Sequence, residues 1–161
     1  MSARQHAITA LVQNEAGTIN RLVSNFRRRG FSIDSFNAGD CEQKGYSRLT
    51  LLLNADDSQV DFALRQLDRL VDVVEVEDLM SEDRVMREVV LVSLDASKAT
   101  PDVLSKLKLD LGAQIEHQDE KSVVLQFTGP VRLVESFLKE VEPLNPIEIV
   151  RSGPCALKIS R

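Results

Sequence analysis

The sequence predicts an α+β protein made of two consecutive βαββαβ sandwiches, and three observations predict it. Short apolar runs with strand patterning alternate with stretches of helical spacing. The order strand, helix, strand, strand, helix, strand is complete by Leu79, and the same order restarts near Arg87 after a charged segment. The 161 residues therefore divide into a first domain at 1–80, a connector at 81–85 and a second domain at 86–161. Each half, at about 80 residues, is long enough to hold its own core.

Ala7 to Val12 is a nearly continuous apolar run, hence a strand, and it ends in the polar, glycine-bearing turn Gln13 to Gly17. Thr18 is placed to cap a helix whose stripe is Ile19, Leu22, Val23 and Phe26, stopped by Arg27-Arg28-Arg29-Gly30. Phe31 to Ala38 and Tyr46 to Leu53 read as strands joined through the polar segment Cys41 to Gly45. Val60, Ala63, Leu64, Leu67 and Val71 recur at helical spacing, and Val73 to Leu79 returns to a strand.

The second copy opens with the strand Val89 to Leu94. Thr100-Pro101, an N-cap followed by proline at the first helical position, starts a helix with Val103, Leu104 and Leu107 inward and an end near Leu111-Gly112. Two strands follow, Ala113 to His117 and Ser122 to Phe127. Gly129-Pro130 begins the last helix, with Val131, Val134, Phe137, Leu138 and Val141 inward, and Pro143 and Pro146 end it before the strand Ile147 to Val150. Each copy is thus a ferredoxin-like sandwich with both helices on one face of a four-stranded sheet. The other face needs a cover, which a partner subunit or the sister domain can supply.

Composition narrows the function. With 43% hydrophobic and 28% charged residues the chain is globular, and 20 basic against 25 acidic residues give a net charge of −5. Six Phe, one Tyr and no Trp leave too few rings for base stacking, so nucleic acid is excluded as a partner. No run approaches a membrane span or a signal segment, and Cys41 and Cys155 stand apart as thiols of a reducing compartment, so the expected location is the cytoplasm.

Catalytic patterns are absent from the sequence. His6 and His117 lack partners at metal-ligand spacing, so no metal site is expected, and no phosphate-binding or dinucleotide glycine motif occurs. Arg27-Arg28-Arg29 reads as solvation of a helix end. Asn14-Glu15-Ala16-Gly17 differs, because it enters a helix N-terminus, where free N–H groups and the helix dipole favour a carboxylate. Gly17 permits close approach, and Asn14 offers both a donor and an acceptor to a small zwitterion. The same spacing also suits an ordinary turn.

The segments Asn14 to Leu22 (NEAGTINRL), Arg28 to Phe36 (RRGFSIDSF), Tyr46 to Thr50 (YSRLT), Leu70 to Val73 (LVDV), Arg87 to Val92 (REVVLV) and Arg151 to Leu157 (RSGPCAL) carry a resemblance. Together they resemble the small regulatory subunits of acetolactate synthase, with an ACT domain in the first half. The resemblance implies a non-catalytic, homodimeric subunit that activates a catalytic large subunit and confers feedback inhibition by a branched-chain amino acid, usually valine. Thiamine diphosphate, Mg and FAD are implied on that catalytic partner, and no cofactor on this chain. The effector residues it implies are Asn14, Ala16, Gly17, Thr18 and Ile19 of one copy, with Ser32 and Ile33 of the other.

The chain departs from the family wording at Ser32, where Asn is usual, which removes an amide contact worth about 1 kcal/mol. Ser93 stands where Lys is usual, and the helix and hairpin of the second half diverge further. The alternative is a stand-alone amino-acid-sensing ACT module that regulates another enzyme or a transcription complex. The RSGPCAL match argues against it.

Overall fold

The computed structural model describes residues 3–159; residues 1, 2, 160 and 161 of the two expected domains lie outside it. The chain forms two compact units, one running to Val85 and resuming at Cys155, the other spanning Met86–Pro154.

In the first unit, β1 (Arg4–Gln13), α1 (Thr18–Arg28), β2 (Ile33–Asp40), β3 (Tyr46–Ala55), α2 (Asp57–Leu67) and β4 (Val73–Asp78) follow in the expected order. The sheet runs β2-β3-β1-β4 with antiparallel neighbours. Alternate residues Ile8, Ala10 and Val12 of β1 and Leu49, Leu51 and Leu53 of β3 point to the helices and are buried against Leu22, Phe26, Val60, Ala63 and Leu67. Asp56 caps α2 in a reciprocal capping box with Gln59, which fixes where that helix begins.

The opposite face of this sheet is covered in part by the chain's own tail. Cys155–Lys158 forms a strand, β9, that pairs with β5 (Arg84–Asp95) and lies against β1 and β3. The Ala156 N–H donates to Thr50 Oγ1 at 3.2 Å, the Ile159 N–H to the Asp83 carbonyl at 2.8 Å, and Lys158 Nζ lies 2.8 Å from Glu77 and 3.4 Å from Glu82. By their contacts these last residues group with the first unit, whereas β9 itself pairs with β5.

In the second unit, β5 (Arg84–Asp95), α3 (Pro101–Leu111), β6 (Gln114–Gln118), β7 (Ser122–Gly129), α4 (Val131–Val141) and β8 (Glu148–Arg151) repeat the pattern, with the strands ordered β6-β7-β5-β8. Val90, Val92 and Leu94 of β5 and Val123, Leu125 and Phe127 of β7 pack on Leu104, Leu107, Val134, Phe137 and Val141. Phe127 and Phe137 stack with centroids 4.9 Å apart. Thr100 caps α3 ahead of Pro101, and Gly112 ends it at φ 77, a left-handed cap that glycine adopts without strain.

Three expectations need correction. Thr18 does not cap α1: Gly17 holds that position with no side-chain bond, and Thr18 is the buried first residue of the helix. Ile19 and Val71, expected in the helix stripes, are 45% and 86% exposed, the latter because α2 stops at Leu67. The connector at 81–85 is short, since a 3-10 turn at Leu79–Ser81 runs almost directly into β5 at Arg84. His6, which the sequence leaves without metal-ligand partners, is packed at 1% exposure, with Nδ1 2.7 Å from Asp78 Oδ2 and Nε2 3.5 Å from Asp57 Oδ1.

Candidate effector site

The turn between β1 and α1 is the structural centre of the expected site. Gln13 ends the strand, and its N–H donates to the Asp72 carbonyl at 2.8 Å. The Asn14 N–H donates to Gly45 O at 2.8 Å and its Nδ2 to Asp40 Oδ1 at 3.2 Å, so the β2–β3 hairpin positions this side chain. Asn14, Ala16, Gly17 and Ile19 are all exposed.

Gly17 has φ 90, a left-handed conformation that other residues rarely adopt, and this sharp bend aims the start of α1 at solvent. The helix opens without a side-chain cap and without an acid in its first turn, so its N–H groups and positive dipole end are not neutralised by the helix itself. In the same unit, the Asp56 carboxylate occupies the corresponding place on α2. The chemistry offered at Gly17 is therefore that of a carboxylate acceptor, with the Asn14 amide beside it.

Arg21 stands one helical turn beyond Gly17. Its Nε donates to Asp72 Oδ2 at 2.6 Å and its Nη2 to Thr18 Oγ1 at 3.2 Å. The Asp72 side chain is only 7% exposed and the Arg21 side chain 47%. The hydrogen bond from Arg21 to Asp72 raises the guanidinium above the ordinary arginine range. Neither residue was among the sequence candidates; the signal was the LVDV segment, whose buried aspartate had no visible partner in the linear pattern.

Ser32 and Ile33 lie elsewhere. Ile33 pairs with Leu53, and Leu53 with His6, whereas the turn follows Gln13 at the other end of β1. Seven residues of strand separate the two levels, about 23 Å at the usual rise. The chain brings Asn14, Ala16, Gly17, Thr18 and Ile19 together and leaves Ile33, the first residue of the edge strand β2, and Ser32 just before it at the far end of the sheet. Ser32 is exposed and Ile33 half-buried.

A cavity of about 360 Å³ lies on the hairpin side of Asn14, lined by Asp40 to Tyr46. Asp40, Glu42, Gln43 and Lys44 make this lining largely polar, a poor match for a branched aliphatic side chain. Among the described residues no group of three or more His, Cys, Asp or Glu is arranged to hold a metal ion, and no helix is long and apolar enough to cross a membrane.

Residues 8–75 match the family model for the AHAS small subunit-like ACT domain, and residues 87–160 match the model for the small subunit of acetolactate synthase. The chain is 30% identical over 148 residues to the acetolactate synthase small subunit of Mycolicibacterium smegmatis, covering 92% of this chain and 87% of that protein. It is 29% identical to the acetolactate synthase small subunit of Mycobacterium bovis, covering 98% and 94%. The crystal structure of the Thermotoga maritima acetolactate synthase small subunit superposes with a TM-score of 0.89 at 28% identity, covering 98% of this chain and 99% of that one. With an ACT domain first and the family's second domain behind it, the chain belongs to the acetolactate synthase small-subunit family, the non-catalytic regulatory subunits of that enzyme.

Proposed function

We propose that this subunit activates the thiamine-diphosphate-dependent catalytic subunit and makes it sensitive to feedback by a branched-chain amino acid, with valine as the effector. The effector sits between the turn Asn14 to Gly17, with Thr18 and Ile19, of one copy and Ser32 and Ile33 of a second copy. The chemistry, with thiamine diphosphate, Mg and FAD, belongs to the catalytic partner, and the two work together in the cytoplasm in branched-chain amino acid biosynthesis.

The observation that carries this reading is the separation of the two residue groups within one chain. The turn supplies what a zwitterion's carboxylate needs, while Ser32 and Ile33 stand about 23 Å away by strand rise on an exposed edge strand. A second copy placed with its β2 edge alongside brings the two groups within reach of one small ligand, and Ile33 then supplies an apolar contact for a branched side chain.

Regulation follows by linkage. An effector bound across two copies favours the arrangement in which both halves of its site meet, and the catalytic subunit favours another, so valine lowers activity through its differential affinity for the two. The test is the activity of the purified catalytic subunit with and without this chain, each with and without valine. The reading expects higher activity on adding the chain and inhibition by valine only when the chain is present. No change in activity would remove the activating role. Activation without inhibition, combined with no calorimetric binding of valine, leucine or isoleucine, would remove the feedback role.

A further inference from the structure

We infer that Asp72 and Arg21 are positioning residues for the effector turn, a brace that holds Asn14 to Gly17 in its binding shape from both sides. The inference rests on the effector reading given above. Asp72 touches each flank of the turn with a different group. Its backbone carbonyl accepts the N–H of Gln13, the last residue before the turn, at 2.8 Å. Its carboxylate accepts Nε of Arg21, one turn into the helix that follows, at 2.6 Å. One nearly buried residue therefore fixes the distance between the end of β1 and the first turn of α1.

Arg21 completes the brace. Its Nη2 donates to the Thr18 hydroxyl, and a Cβ built on Gly17 would lie 3.1 Å from its Nη1. The guanidinium thus lies directly against the glycine whose φ of 90 makes the bend. The charged plane fills the place a side chain would take, so the bend, the helix start and the buried aspartate form one rigid assembly. The turn's own hydrogen bonds, Thr18 N–H to Glu15 O and Arg21 N–H to Gly17 O, depend on that shape. A flexible turn would have to be ordered at the moment of binding, and the brace removes that entropic cost in advance.

The test uses the full chain with Arg21→Gln, Arg21→Lys and Asp72→Asn. Native-state hydrogen exchange reads the N–H groups of Gln13, Asn14, Thr18 and Arg21, with Val90, Val92 and Leu94 of the second unit as internal reference. Loss of the brace speeds exchange at the four turn amides by about tenfold or more and leaves the reference unchanged, as local opening does. Calorimetry with valine reads a dissociation constant raised about fivefold or more in Arg21→Gln and Asp72→Asn and less in Arg21→Lys. Wild-type exchange at all four amides in both Arg21→Gln and Asp72→Asn overturns the brace, as does a valine constant within about twofold of wild type in both. If valine fails to bind the unmodified protein, the effector reading falls, and the exchange rates still decide the brace.

Discussion

Both units fasten an arginine to a nearly buried carboxylate, and the two pairs differ in what they hold. In the second unit Arg151 grips Glu88 with two parallel bonds, Nε to Oε1 at 2.7 Å and Nη2 to Oε2 at 3.0 Å, and Nη2 also reaches Glu135 at 2.8 Å. Glu88 has 1% side-chain exposure, and its hydrogen bonds raise the Arg151 guanidinium well above the ordinary range. This pair ties the start of the REVVLV segment to the RSGPCAL segment, joining β5 to β8. In the first unit Arg21 makes a single bond to Asp72, and the rest of its guanidinium is given to Thr18 and the space over Gly17. A bidentate pair within a sheet maintains the fold. On the inference drawn above, the pair divided between a buried acid and a surface turn holds the shape of the candidate effector turn.

That contrast breaks if removing the two arginines has the same effect. Arg151→Ala strands the buried Glu88 carboxylate and costs about 3 kcal/mol of stability, discounted from the range for fully buried pairs because Arg151 is partly exposed. Chemical denaturation reads the loss, and valine affinity is unchanged. Arg21→Gln, at a half-exposed side chain whose replacement keeps an amide donor for Asp72, lowers stability by less than Arg151→Ala in the same measurement.

The legibility of the two pairs in the sequence was just as unequal. Element order, both ferredoxin-like sandwiches and most inward residues could be read from periodicity, because Ile8, Leu51, Val92 and Phe137 obey the spacing of their own element. The N-cap at Thr100 and the stop at Gly112 could be read for the same reason, since local backbone chemistry decides them. Contacts between distant segments could not. Asp72 and Arg21 are 51 residues apart, and Arg151 and Glu88 are 63 apart, so neither pairing leaves a periodic trace. The return of β9 to the first unit is a contact of this kind. Of the site, the turn was legible through its glycine and asparagine, whereas its support from Asp72 was not.

Smaller effects sharpen the account of the first unit. Ser32→Asn restores an amide at the edge position and tightens valine binding several-fold, about 1 kcal/mol, read by calorimetry. Asp56→Ala removes the α2 cap and lowers the midpoint of thermal or chemical unfolding, by less than Arg151→Ala does.

The smallest effect lies in the second unit. N–H groups of Ser122 and Lys121, and then His117, hold the Asp119 carboxyl down at about 2. Its folded value is below its unfolded one, so its contribution is present above the usual aspartate range and fades as pH falls from about 4 toward 2. Amide shifts of Lys121 and Ser122 in a pH titration follow that loss.

The central claim is that the effector binds the first unit at the β1–α1 turn and at the start of β2, and nowhere in the second unit. Backbone amide shifts of the full chain titrated with valine test it most directly. The account predicts saturable shifts at Asn14, Ala16, Gly17, Thr18, Ile19, Ser32 and Ile33, with residues 86–154 unmoved. Shifts confined to 86–154, or saturable binding that leaves the turn unmoved, would contradict it.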